Sequence, residues 1–137
     1  MSEIPQDGQP VGRVPLATNR DVARARKAVG AVMDEGRARP IQKTRFVTAV
    51  SEITRNAIVH GGGGVLMIYA HALPRAISVA CRDEGGGIEN VEEAMRDGFS
   101  TAGSLGRGLG GAKRLVDAFE IESTPGGGTT VRMMSRT

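Results

Sequence analysis

The stretch that decides the fold reads EITRNAIVHGGGG and occupies residues 52–64. It continues a segment, residues 41–60, whose apolar side chains recur at helical spacing, and it ends in four consecutive glycines. At about 100° per residue, Glu52 and Asn56 fall together at one margin of the apolar stripe. The pattern therefore predicts a helix that carries a carboxylate and a carboxamide beside the core and stops at the glycines. The stripe consists of Phe46, Val50, Ile53 and Ala57.

The bulk composition indicates one globular domain with a core that is poor in aromatic side chains. The chain has 137 residues, which suits one domain, and aromatic residues make up only 3% of it. The formal net charge is +3, and the basic residues are interspersed rather than gathered in a run. Because few aromatic rings are available to stack on bases, no nucleic-acid partner is expected. A basic nucleic-acid binder is kept as an alternative, which steeply salt-sensitive binding would support.

The sequence shows no recognisable targeting signal and no zinc-binding pattern. We find no signal peptide and no apolar run of membrane length in the sequence, so a cytoplasmic protein without a membrane partner is expected. Cys81 is the single cysteine and lies in an apolar alternating stretch, which predicts a small core residue in a reducing compartment. With one cysteine and two histidines, a structural zinc site is not expected.

The N-terminal part of the sequence divides into a tail, a strand and a helix. Residues 1–12 are polar and rich in proline and glycine, so a flexible tail is expected ahead of one domain at residues 13–137. RVPLAT, at residues 13–18, favours an edge strand because its proline cannot donate a ladder hydrogen bond. Asn19 is the expected N-cap of a helix that runs to about Glu35.

The rest of the sequence contains two hairpins, with a glycine-rich stretch and a helix between them. The strand-like runs VLMIYAHA and AISVACRD meet near Pro74, and FEIEST and TTVRMMS flank PGGG. Between the hairpins, DGFSTAGSLGRGLGG leads into a helix that ends near Ala118. Grouped helices and paired strands indicate an α+β fold, in which a two-layer α/β sandwich is built on a mostly antiparallel, mixed sheet.

Three separated glycine clusters stand beside polar residues and suggest a site built from backbone. One cluster, at residues 106–111, directly precedes a predicted helix, where free N–H groups bind phosphates; an ordinary turn is the alternative. Asp83 ends a predicted strand before GGG, and its carboxylate can only accept hydrogen bonds. It would therefore receive the exocyclic amine of adenine and reject the carbonyl of guanine, although Asp before glycine is also a common turn.

The polar pair on the second helix has a chemical and a structural interpretation. The carboxamide of Asn56 offers a neutral oxygen to Mg²⁺, which binds few protein groups besides phosphates. Glu52, one turn away, is placed to accept a proton from a nucleophile that attacks a γ-phosphate. The structural alternative is two solvated residues on a helix flank.

Four motifs in a fixed order carry a resemblance to a known family. They are ExxxN at Glu52–Asn56, DxGxG at Asp83–Gly87, GxGxG-like glycines at Gly106–Gly110 and GxGT at Gly126–Thr129. In this order they resemble the Bergerat-fold ATPases of the GHKL superfamily, which includes gyrase, Hsp90, MutL and histidine kinases. Residues 97–131 closely resemble the RsbT-type serine/threonine switch kinases, and less closely the anti-sigma-factor kinases. The resemblance covers the chain from about Pro15 onward.

The resemblance implies a role for individual residues. Asn56 would coordinate Mg²⁺, and Glu52 would be the general base. Asp83 would bind the adenine amine of ATP. Further residues implied to bind the nucleotide are Gly85 and Gly87 in the adenine pocket, Ser100 and Thr101 in an ATP lid, Gly106, Gly108, Leu109 and Gly110 around the phosphates, and Thr129 at the adenine end.

Three further residues each have two interpretations, and a fourth has a structural one. Arg107 would contact the γ-phosphate, or would be solvated or face a partner. Lys113 and Arg114 would face a partner or solvent, and His60 is interpreted as a helix C-terminal residue that meets the helix dipole.

The resemblance also implies a function. The expected activity is that of a Mg²⁺·ATP-dependent protein serine/threonine kinase that phosphorylates STAS-domain antagonist or scaffold proteins in a stress-response, partner-switching pathway. The alternative is a non-catalytic ATP-binding module that sequesters a sigma factor or activates a PP2C-type phosphatase.

Overall fold

A computed structural model describes residues 3–85 and 109–137 of the chain. The first half runs from a strand through two helices into a hairpin, and the second half adds a short helix and another hairpin. The elements are β1 (Gln9–Leu16), α1 (Asn19–Glu35), α2 (Pro40–Val59), β2 (Gly64–Ala72), β3 (Arg75–Asp83), α3 (Leu109–Arg114), β4 (Ala118–Thr124) and β5 (Gly128–Arg136).

The five strands form one sheet in the order β1-β2-β3-β5-β4. Every pairing between neighbouring strands in the described residues is antiparallel. β1 lies at an edge, as its proline predicts, and β5 lies between β3 and β4. The predicted α+β class and antiparallel sheet are therefore confirmed.

Both long helices begin close to where the sequence predicts. The N-cap of α1 is Thr18 rather than Asn19, and the carboxylate of Asp21 accepts the backbone N–H groups of Ala17 and Thr18 at 2.8 and 3.0 Å. Asn19 is therefore the first helical residue, and Asp21, the third, accepts the backbone N–H of the N-cap Thr18 as in a capping box. α2 starts with Pro40 in its first turn, where the missing N–H costs nothing.

The main core lies between the two long helices and the inner face of the sheet. Alternate residues of each strand point into it, and the helices supply the opposite layer. Cys81 belongs to this core and is a free thiol, as predicted. The largest fully buried side chains of this core are Phe46, Met33, Ile53, Leu66, Ile68, Ile77, Leu109 and Met133.

The N-terminal segment differs from the flexible tail expected at residues 1–12. β1 begins at Gln9, and residues 3–8 lie on the outer face of the sheet. Ile4 is only 4% exposed, and the backbone N–H of Glu3 donates to Glu120 at 3.1 Å. A single isoleucine in a polar segment gives no periodic signal, so the sequence did not reveal this contact. Ile4 packs with Ala76, Ala118 and Met134.

The described residues were also searched for membrane spans. Among residues 3–85 and 109–137, no helix is both long enough and apolar enough to cross a membrane.

Candidate functional site

Asp83 is the last residue of β3 and lies on the inner face of the sheet, two residues after Cys81. The backbone N–H of Gly85 donates to its Oδ1 at 3.0 Å. Within the residues that the structure describes, the other carboxylate oxygen accepts no hydrogen bond. Asp83 is half-buried, so it combines a fixed position with one oxygen that is open to a ligand.

Thr129 lies directly across from Asp83 in the β3–β5 register. Its side chain is 7% exposed, and its hydroxyl oxygen is 2.9 Å from that of Ser123 on β4. Ser123 also donates to the carbonyl of Gly128 at 3.3 Å. Cross-strand neighbours on one face lie about 5 Å apart, so Thr129 and Asp83 form one polar edge of the site. Ser123 was not predicted as a site residue. Its place six residues before Thr129 is the one feature of the sequence that points to this contact.

The last turns of α2 approach the same end of the sheet. Glu52 and Asn56 are partly exposed, whereas Ile53 and Ala57 beside them are buried. The Sγ atom of Cys81 lies 3.7 Å from the carbonyl oxygen of Ile53, which fixes α2 against β3. The predicted position of the polar pair, at one margin of the apolar stripe, is therefore confirmed.

Each member of the polar pair has a neighbour of its own. Glu52 forms an ion pair with Arg55 at 3.4 Å, and both side chains are substantially exposed. An exposed pair of this kind contributes little to stability because water screens it. The carbonyl of Asn56 accepts the N–H groups of His60 and Gly61, which closes the C-terminus of α2. Arg55 was not singled out in the sequence, although its spacing of three residues from Glu52 predicts the contact.

Cys81 lies next to Asp83 on the inner face of β3 and is buried. Burial, and after it the nearby charge of Asp83, raises the pKa of the Cys81 thiol to about 12. The thiol is therefore fully protonated at neutral pH and acts as a packing residue. The floor of the site next to Asp83 is therefore buried and apolar.

Glycines from three segments surround Asp83. A Cβ atom added at Gly61 would collide with the Asp83 side chain, and one added at Gly128 would collide with the Asp83 carbonyl oxygen. Gly128 also has a φ of +85°, which disfavours any side chain there. A Cβ on Gly85 would lie 2.7 Å from the Cα of Gly61. Backbone from three segments therefore packs closely around Asp83.

Several predicted ligand residues lie outside the described residues or are seen only in part. The side chain of Leu109 is 1% exposed and belongs to the core, so only its backbone is available to a ligand. Gly110 is also buried, in α3. The predicted residues that fall outside the described ranges are Gly87, Ser100, Thr101, Gly106, Arg107 and Gly108.

A family model decides the classification of this chain. The model of the histidine kinase-like ATPase domain matches residues 16–135. The chain belongs to this family. The match confirms the resemblance to Bergerat-fold ATPases, and it includes every described segment around Asp83.

Proteins similar to this chain include one named as a serine/threonine-protein kinase and others named as anti-sigma F factors. The serine/threonine-protein kinase RsbT of Bacillus subtilis is 36% identical over 121 residues, covering 87% of this chain and 91% of that protein. The anti-sigma F factor of Clostridium novyi is 30% identical over 128 residues, covering 88% of this chain and 90% of that protein. The anti-sigma F factor of Caldanaerobacter subterraneus is 42% identical over 92 residues, which is 63% of this chain and 64% of that protein.

Proposed function

We propose that this protein is a Mg²⁺·ATP-dependent protein serine/threonine kinase. The observation that carries the proposal is the arrangement of Asp83, which keeps an open carboxylate oxygen opposite Thr129 and beside the end of the helix that bears Glu52 and Asn56. The likeness to a protein named serine/threonine-protein kinase supports the assignment over most of the chain.

The residues present fit a nucleotide and its metal ion. The open oxygen of Asp83 is an acceptor for the adenine amine. The described residues contain no group of three or more His, Cys, Asp and Glu that could hold a metal by itself. Mg²⁺ typically uses one or two protein oxygens together with phosphates, and the carboxamide of Asn56 would supply such an oxygen. Bound there, the ion would offset phosphate charge.

Each polar residue then has a distinct task. Asp83 binds and orients the base, and Thr129 supports that end of the pocket. The carboxylate of Glu52 accepts the proton of the attacking Ser or Thr hydroxyl on the partner protein. Because phosphoryl transfer depends mainly on positioning and electrostatics, these residues would act together with the phosphate-binding glycines expected at residues 106–110.

The proposed substrates are STAS-domain antagonist or scaffold proteins of a partner-switching pathway. A second candidate function is a non-catalytic ATP-binding module that holds a sigma factor or activates a PP2C-type phosphatase. The names of the relatives motivate this candidate, because several of them are anti-sigma F factors.

The test measures transfer of label from γ-labelled ATP, with Mg²⁺, to each STAS-domain protein encoded beside this one. Label should appear on one partner, and Glu52→Gln should reduce the rate by about 10²- to 10⁴-fold while ADP binding persists. Glu35→Gln is the matched control, since Glu35 is an exposed glutamate at the end of α1. Its rate should equal that of the wild type.

Two results would contradict the proposal in different ways. Undiminished transfer by Glu52→Gln would exclude that residue as the base. Tight ATP binding without transfer to any partner would favour the binding module, and retention of the partner by Asn56→Ala would then strengthen that alternative.

A further inference from the structure

The four glycines that follow α2 are constrained in different ways, and Gly61 is the one of the four whose added Cβ would meet the Asp83 side chain. Gly62 and Gly63 have φ values of +73° and +114°, a backbone conformation that other residues rarely adopt. A Cβ on Gly62 would nevertheless meet nothing within 4 Å. Gly61 has no positive φ, so its need for glycine is a need for space.

The space at Gly61 is occupied by the Asp83 side chain. A Cβ at this position would lie 2.5 Å from the Cβ of Asp83 and even closer to its Cγ, and 2.7 Å from the carbonyl oxygen of Ala57. Real Cβ atoms essentially never approach other atoms within 3.0 Å. Even one methyl group at residue 61 therefore requires Asp83 or the end of α2 to move.

Asp83 has little freedom to absorb such a movement. Its Oδ1 is held by the backbone N–H of Gly85, and its carbonyl oxygen lies against the Cα of Gly128. Gly85 in turn packs on Gly61, so Gly85 cannot retreat in that direction. The contact between Gly61 and Asp83 thus determines where the open carboxylate oxygen lies.

We infer that Gly61 is a positioning residue for base recognition: its bare Cα holds the Asp83 carboxylate in the place from which it selects a base bearing an amine over one bearing a carbonyl. The inference rests on the proposed function, because it assigns the adenine contact to Asp83. It adds a residue from the loop after α2 to the base-binding end of the site, which otherwise comes from β3 and β5.

The first experiment compares the binding of ADP and of inosine diphosphate, which has a carbonyl where adenine has the amine. The full chain is titrated with each nucleotide in the presence of Mg²⁺, and thermal unfolding is recorded alongside. The wild type should prefer ADP by about tenfold or more, as expected for one hydrogen bond to a charged group. Gly61→Ala should lose most of that preference while it still unfolds cooperatively.

Gly62→Ala is the matched control. It changes the neighbouring glycine to the same residue, and its added Cβ touches nothing. A modest loss of stability is expected from the strained φ, with an unchanged preference for ADP. If Gly61→Ala keeps the wild-type preference, or if Gly62→Ala loses it to the same extent, the inference is wrong.

A second experiment decides the matter if Gly61→Ala is too unstable to titrate. The loss in denaturation midpoint caused by Gly61→Ala is measured in the wild type and again in Asp83→Gly, which removes two of the three colliding atoms. The loss should be clearly smaller in the Asp83→Gly background. Equal losses would show that the collision is with the Ala57 carbonyl, and would overturn the inference.

The two proposals fail in distinguishable ways. A wild-type chain that binds neither nucleotide, or binds both equally, contradicts the proposed recognition of adenine, while the stability cycle still shows whether Gly61 positions Asp83. A wild-type chain that prefers ADP, together with an unaffected Gly61→Ala, contradicts only the inference.

Discussion

Two carboxylates, at the start of α1 and at the end of β3, are held by backbone N–H groups in contrasting ways. Asp21 is 8% exposed; one of its oxygens accepts two N–H groups and the other faces Arg24 at 3.5 Å. Asp83 accepts one N–H group, and its second oxygen has no hydrogen bond among the described residues. Asp21 is thus satisfied by the fold, whereas Asp83 keeps half of its capacity for a ligand.

The two carboxylates also differ in how far along the chain their neighbours lie. All partners of Asp21 lie within four residues of it, so a short peptide contains the whole arrangement. Asp83 takes its one N–H group from Gly85, two residues further on, but Gly61 and Gly128, which also pack against it, lie far away in the sequence on either side. The position of the Asp21 carboxylate is therefore set locally, whereas that of Asp83 depends also on distant segments.

The largest effect expected from this contrast is on nucleotide binding by Asp83→Asn. In the variant an NH₂ group replaces one carboxylate oxygen, so a donor faces either the N–H of Gly85 or the adenine amine whichever way the carboxamide is turned. ADP affinity should fall about 10- to 100-fold, measured by titration calorimetry. Asp21→Asn is the control and should bind ADP like the wild type. A parallel loss in both variants would erase the distinction between the two carboxylates.

An intermediate effect is expected on stability, in Asp21→Asn. Hydrogen bonds from Thr18 and then Ala17 lower the pKa of Asp21 from 3.8, against the opposing effect of burial. A lowered pKa in the folded state means that the ionised form stabilises the fold above that pH, and that this stabilisation is lost as pH falls through the folded pKa. The variant should therefore unfold a few degrees lower than the wild type near neutral pH.

The pH dependence provides the check on that prediction. The difference in Tm between Asp21→Asn and the wild type should be largest at about pH 7 and should shrink as pH falls below 3.8 and through the lowered pKa of Asp21. A difference that stays constant with pH would show that the charge of Asp21 plays no part.

The smallest effect is expected at Cys81, beneath the site. Its pKa of about 12 arises first from burial and only second from the charge of Asp83. A thiol reagent at about pH 8 should therefore label the native protein at a negligible rate, in the wild type and in Asp83→Asn alike. Denaturant should expose the thiol to rapid reaction. Fast labelling of native Asp83→Asn would mean that the carboxylate, and not burial, protects the sulfur.

Local patterns in the sequence predicted most of the fold. The apolar stripe of α2, the first-turn Pro40 and the two hairpins are short-range features, and each is present in the structure. The same holds for Glu52 and Asn56, whose shared face follows from helical geometry alone. The motif order then placed Asp83 and Thr129 in one site, and the sheet register pairs them.

What the sequence did not reveal depends on contacts between distant segments. Ile4 reaches the outer face of the sheet from a segment whose composition indicates a tail. Gly61 looks like one of four equivalent loop glycines until the position of Asp83 is known. Ser123 resembles any strand serine until β5 brings Thr129 beside it. Such contacts leave no periodic trace, because each involves one residue and one partner.

The position of β5 between β3 and β4 has a consequence for the order of events at the ribosome. The two long helices, β2 and β3 leave the exit tunnel early, yet Asp83 gains its neighbour Thr129 only when the last hairpin has been translated. Ile4 likewise waits for Ala118 and Met134, so one of the earliest residues made is among the last to find its place. The pairing of Asp83 with Thr129 is therefore absent until β5 has been released, and a nucleotide bound at that edge, as proposed, would stabilise the fold only from then on.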